Sequence, residues 1–385
     1  MPWIHNDHPD EDLCRSDDLC HPDDEFCHSE SGDKPGEACT ERRRREPAFR
    51  RAPETRLVVV LLSFLSLVPY SPAAESPEAL LAAGRVDQAL QILEQPLRAA
   101  PTAEAYNLLC RAHFELDDWD AGIPACEKAV ALAPNNGLYH LWLGRIYGEK
   151  ADHSSFLTAM GMAGKVRSEF ERAVELSPDN WEARTDLAEF YVEAPGIVGG
   201  GKDKARAQAE LLVPLNPGMA HWVRGRIAEK EKDPVVAEQE FRAAITASQG
   251  GARAWLNLAG FYRRTSRFDE MEQALRSMES SRVDHPAAFV DGASMLFRTG
   301  RNYPLAIQVL RSYLASSNTV EEAPAFKAHY LLGELLERQG DRPAAAEEYR
   351  AALSMAHSFR PAQDALKRVT RQLEPELTSR GSTLR

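Results

Sequence analysis

Residues 129–134 read Ala-Val-Ala-Leu-Ala-Pro, and residues 173–178 read Ala-Val-Glu-Leu-Ser-Pro. Each is a helical tail stopped by a proline, which lacks the amide that would continue the helix. The same punctuation recurs in Leu-Arg-Ala-Ala-Pro at 97–101 and Leu-Leu-Val-Pro-Leu-Asn-Pro at 211–217. The closing prolines, Pro101, Pro134, Pro178 and Pro217, stand 33, 44 and 39 residues apart. Periodicity in this range marks an array of small supersecondary units. Upstream of each proline the apolar residues form paired helical patterns with little β-branched clustering, so strands are not expected. The chain reads as an all-α array.

The units share internal landmarks. First helices carry His140-x2-Leu143-Gly144-x2-Tyr147, Leu187-Ala188-x2-Tyr191, Trp255-x2-Leu258-Ala259-x2-Tyr262 and His329-x2-Leu332-Gly333-x2-Leu336. Second helices carry Ala89-x3-Leu93, Ala237-x3-Phe241-x2-Ala244 and Ala345-x3-Tyr349-x2-Ala352. In these residues the chain resembles the tetratricopeptide repeat superfamily, whose helix pair of about 34 residues has the same order of small and aromatic positions. The resemblance covers roughly residues 76–358, about eight units with a short first one. It implies a right-handed superhelical solenoid over 75–360 with a concave groove. A C-terminal capping helix is expected from Pro361 to about Glu374, with a tail behind it, so that 361–385 close the chain. Small residues at Gly144, Ala188, Ala259 and Gly333 would let paired helices approach closely. Ser76-Pro77-Glu78 reads as a helix start, with Ser as N-cap and Pro at the first helical position.

The segment ahead of the array differs in composition. Residues 1–40 hold twelve Asp/Glu against Arg15 and Lys34, a charge balance that cannot build a core. Residues 1–56 are therefore expected to be a disordered extension. Cys14, Cys20, Cys27 and Cys39 lie among its histidines without a CxxC pair, so no metal site is expected. Arg42–Arg45 precede the apolar run Leu57–Val68 and the small residues Ser71-Pro72-Ala73-Ala74. Residues 57–74 thus have the charged, apolar and cleavage regions of a secretory signal. A periplasmic or secreted location is the expectation, with the upstream residues belonging to an over-extended start.

Composition narrows the function. A net charge of -12 disfavours a nucleic-acid partner, which needs a basic face. The apolar run is too short for an ordinary membrane span, so no stable membrane insertion is expected after cleavage. No motif for a catalytic triad, a metal or a cofactor stands out, and the reading is a non-enzymatic scaffold for a protein or peptide partner. Two insertions, 148–165 and 195–204, keep an enzyme or enzyme subunit as the alternative. The first is expected to add a helical segment. The second contains Gly199, Gly200, Gly201 and Lys202 ahead of a helix, a candidate anion loop.

Residues at groove-facing repeat positions supply the candidate site. Arg111, Arg145 and Arg226 occupy the ninth position of their helices, Asn107 and Trp222 the fifth, and Arg263 and Arg298 the twelfth. Arginine forks match carboxylates, and Trp beside Arg is a frequent anchor. An acidic or C-terminal peptide across Arg111, Arg145 and Arg226, anchored near Trp222, is the expected ligand. Cys110 and Cys126 are equidistant from the turn at Asp118, at inward positions, and a disulfide is expected between them.

Overall fold

The computed structural model describes residues 75–316 and 318–382. The expected N-terminal extension, the expected signal segment and the four early cysteines lie outside the described residues. The described chain forms helices in antiparallel pairs, and the pairs stack in sequence order. The first two pairs are α1 (Pro77–Ala82) with α2 (Val86–Ala99), and α3 (Ala103–Glu115) with α4 (Trp119–Leu132). The insertion-bearing pairs follow, α5 (Gly137–Asp152) with α6 (Phe156–Leu176), and α7 (Trp181–Glu193) with α8 (Lys202–Leu212). Next are α9 (Pro217–Lys230) with α10 (Pro234–Ala247), and α11 (Ala252–Arg264) with α12 (Phe268–Glu279). The last pairs are α13 (Ala287–Thr299) with α14 (Tyr303–Ala315), and α15 (Ala325–Arg338) with α16 (Arg342–Met355). A single helix, α17 (Arg360–Ser382), ends the stack and packs on α16 and α15. It runs past the expected stop near Glu374, through Pro375.

Local sequence explains the punctuation. After Pro134 and Pro178 the side chains of Asn136 and Asn180 cap α5 and α7, accepting from the amides of Leu138 and Ala183. Asn216, Asp233 and Asp341 cap α9, α10 and α16 in the same way. Such caps satisfy amides that the first helical turn leaves unpaired. Within six pairs the turn uses a left-handed residue, Gly84, Asp117, Lys232, Ser266, Gly300 or Gly340, with φ between 57° and 84°, and the α13–α14 turn adds Asn302 at 46°. The two pairs that abandon this turn are α5–α6 and α7–α8. In the first, the inserted residues form a helical segment by lengthening both helices, to 16 and 21 residues. In the second, the connection is a 3-10 turn at Gly196–Val198.

Packing within pairs follows the small-to-large rule. A Cβ on Gly144 would lie 2.5 Å from the ring of buried Phe170, and one on Gly333 would lie 2.5 Å from Tyr349. Gly225 faces Phe241 at 3.0 Å. In the second pair Cys110 and Cys126 take the small and aromatic positions, and both are buried. Their sulfurs are bonded to each other, with Cα atoms 5.1 Å apart.

The ends of the array meet. Leu80, Leu81, Val86, Ala89 and Leu93 of the first pair form one apolar cluster with Phe326, Ala352, Ala356, Phe359 and Ala362. Gly84 lies so close to Ala325 that a Cβ there would come within 2.5 Å of its backbone nitrogen. Three charged contacts flank this seam. Arg111 clasps Glu321 with both fork nitrogens, its Nε at 2.7 Å. Lys327 donates to Asp117 at 2.7 Å, and Asp87 receives the His357 amide at 2.9 Å. The groove expected from the repeat is thus closed end to end.

Candidate functional site

The first helices of the pairs, α3 to α15, turn one face inward and line a cavity of about 560 Å³. Its apolar lining includes Phe114, Trp142, Met219, Trp222, Leu256 and Met295. Charged groups stand among these, and the repeat register brings the ninth positions Arg145, Glu189 and Arg226 to the same face.

The three arginines expected to grip a ligand are engaged within the chain. Arg111 and Arg145 both stack on Trp142, at 5.3 and 5.1 Å from the ring centre. Arg145 donates from Nε to Asp186 at 2.8 Å and sits near Glu182, while Arg111 holds Glu321. Arg226 is buried between Glu193 and Glu229. For each of the three, burial works against the charge, and the carboxylates more than offset it, so the pKa is raised. An acidic peptide across these three would have to displace carboxylates already bound. Arg264 adds a second fork on Glu229, with both nitrogens at 2.9 Å. Asn107 is buried and its Nδ2 has no hydrogen-bond partner.

The α11–α13 part of the cavity is different. Arg263 and Arg298 line it, and Trp222 of α9 lines the same cavity. Arg253, outside the groove-facing repeat positions, joins them from the first turn of α11. It lies over Trp181 at 5.3 Å and contacts the His285 ring. Among the described residues neither Arg253 nor Arg298 forms an ion pair with a carboxylate. Burial lowers the pKa of both, and Arg263 lowers that of Arg298 further, with Asp291 acting the other way. Burial also drives the His285 pKa down to about 3, so this ring is neutral at physiological pH.

Carboxyl groups on α5 and α7 show the converse. Glu189 is 5% exposed, and its Oε1 has no hydrogen-bond partner. Burial pushes its pKa up to about 7 and also raises that of Glu149. Arg226, whose charge acts to lower the Glu189 pKa, is shared with Glu193 and Glu229.

The glycine segment does not present an anion site. The amides of Gly199, Gly200 and Gly201 donate to the carbonyls of Gly196, Pro195 and Tyr191. Lys202 pairs with Glu231, and Lys204 donates to the Gly199 carbonyl at 2.9 Å. From both insertions together, Glu149 is the residue that reaches the cavity. No group of three or more His, Cys, Asp or Glu suited to a metal occurs among the described residues, and none of their helices is long and apolar enough to cross a membrane.

These features define an all-helical superhelical solenoid of paired repeats with an inward-facing polar site. A family model for the tetratricopeptide repeat matches residues 78–137 and 292–372. In these two stretches the chain carries tetratricopeptide repeats. Among curated proteins it is 29% identical over 174 residues to rat (Rattus norvegicus) sperm-associated antigen 1, covering 44% of this chain and 18% of that protein. It is 25% identical over 122 residues to the type IV pilus assembly protein PilF of Pseudomonas aeruginosa, covering 31% of this chain and 48% of that one. The chain thus spans less than half the length of either relative. Among solved structures, yeast Tom70 aligns over 80% of this chain and 67% of its own, with 14% identity and a TM-score of 0.45.

Proposed function

We propose that this protein is an exported, non-enzymatic scaffold that receives a carboxylate-bearing peptide segment of a partner protein in its interior cavity. A tetratricopeptide fold is in general a scaffold for protein interactions. The observation that carries the finer reading is the contrast among cavity arginines. Arg111, Arg145 and Arg226 have carboxylates in hand, whereas Arg253 and Arg298 face the cavity without a carboxylate partner among the described residues. Guanidinium groups removed from water gain most from a charged, bidentate acceptor. Trp222, Leu256 and Met295 beside them offer apolar surface for a neighbouring side chain. Export rests on the sequence pattern of residues 57–74.

The test is fluorescence anisotropy of the full chain against a labelled library of peptides with free C-terminal carboxylates. Binders should lose at least tenfold in affinity in an Arg253→Glu, Arg298→Glu double variant whose helicity and melting temperature are preserved. Equal affinity in that variant would remove these two arginines from the binding surface.

A further inference from the structure

Among the described residues the interior holds charged groups of both signs without ion-pair partners. Glu189 is buried and lines the cavity with one oxygen unpartnered, and Glu149 lines it one repeat earlier without an ion pair among the described residues. Arg253 and Arg298 line the same cavity two and three repeats later, also without carboxylate partners among the described residues. A buried charged group with no partner costs free energy, and removing that cost is what a complementary ligand gains. A simple anion would relieve the arginines and leave Glu189 as it is. A simple cation would do the reverse. The cavity volume, about 560 Å³, falls in the range of small-ligand sites and is far too small for a folded partner.

We infer that the cavity binds a short dipolar peptide end, with a cationic group directed to Glu149 and Glu189 and a carboxylate directed to Arg253 and Arg298. The inference rests on the reading of the cavity as a peptide-carboxylate site and adds the second, cationic requirement. Met219 and Trp222 of α9 lie between the two charged parts in repeat order and supply the apolar surface over which the peptide backbone runs.

The experiment is calorimetric titration of the full chain with alanine peptides of two to five residues, carrying a free amine and a free carboxylate. At least one length should bind saturably. N-terminal acetylation and C-terminal amidation should each weaken it by tenfold or more. Glu189→Gln should abolish the acetylation penalty and retain the amidation penalty, and Arg298→Gln should do the opposite. If amidation weakens binding and acetylation does not, the dipolar inference fails while the peptide-carboxylate reading stands. If acetylation weakens binding and amidation does not, or if no length binds at millimolar concentration, both fail.

Discussion

The junction between α10 and α11 and the seam between the two ends bury similar side chains in dissimilar ways. At the regular junction, Phe241 sits on Gly225 of its own pair and against Phe261 of the next, ring centres 5.3 Å apart. Repeat register alone creates that contact. At the seam, Phe326 and Phe359, 5.0 Å apart edge to face, meet Leu80, Leu81 and Val86, some 240 residues away or more. The charged contacts there join non-equivalent positions, with Arg111 and Glu321 separated by 210 residues. A solenoid ordinarily needs polar caps on both terminal repeats because each unit touches only its neighbours. Here the terminal pairs cover one another's apolar faces. The stability of this array therefore includes a non-local contribution that a sum over neighbours omits.

Removing each aromatic separates the two kinds of junction. Phe326→Ala and Phe241→Ala should each cost about 3–5 kcal/mol, since both rings are fully buried. Only Phe326→Ala should also increase the hydrodynamic radius, because only it weakens the closure. Denaturant titration with sedimentation velocity reads both effects.

The second pair borders the seam and is stapled by Cys110–Cys126, which spans a sequence separation of 16. Reduction, or a double Cys→Ala variant, should cost about 3 kcal/mol through the freed unfolded chain. Hydrogen exchange should show the loss concentrated in α1–α4 and, across the seam, in α15 and α16. Loss confined to α3 and α4 would mean that the seam does not transmit it.

Buried carboxyls supply a pH test. Glu115, at the seam, is 1% exposed with neither oxygen hydrogen-bonded, and burial raises its pKa well above the ordinary value. Glu189, in the cavity, is raised to about 7. A carboxyl with a raised folded-state pKa holds its proton longer in the folded form. Folding stability then falls as pH rises from near 4.5 through the folded pKa. For Glu189 the loss is complete above about pH 7 and amounts to roughly 3 kcal/mol at most. Glu189→Gln should flatten that part of the profile and stabilise the protein at pH 8. Glu115→Gln should act in the same direction, and it alone should make the seam slower to exchange.

Glycines give the smallest contrast. Gly144→Ala would force a Cβ against Phe170 and should cost about 1–3 kcal/mol. Gly164→Ala, on the same pair but in open space within α6, should stabilise by about 0.5–1 kcal/mol. Thermal melts of the two variants should therefore move in opposite directions.

The legible part of this molecule is the part set by short-range rules. Proline stops, Asn caps and the Gly144–Phe170 type of pair recur at fixed spacing, so the helices and their pairing could be read directly. The inward face could be read as well, because the ninth positions Arg145, Glu189 and Arg226 do line one cavity. Partners of those arginines could not. Asp186 reaches Arg145 from the next pair and Glu321 reaches Arg111 from a loop six pairs away, and no periodicity encodes either contact. Arg253 escaped notice because it lies in the first turn of α11, outside the groove-facing positions. The insertion at 148–165 read as an added helical segment because its composition is helical, but composition does not say that the segment continues α5 and α6. Gly199–Gly201 resembled an anion loop by composition, while the structure spends their amides on nearby carbonyls. Closure of the ends was the least legible feature, since it accumulates from the small rotation of every repeat.

Zero-length carbodiimide coupling of the unmodified full chain, read by peptide mass spectrometry, tests the closure most directly. Lys327 Nζ and Asp117 Oδ1 are 2.7 Å apart across the seam, and Lys150–Asp120 at 2.8 Å is a matched pair between neighbouring repeats. The closed array predicts that monomeric protein yields both the 117–327 and the 120–150 links. Recovery of the 120–150 link without the 117–327 link would contradict it.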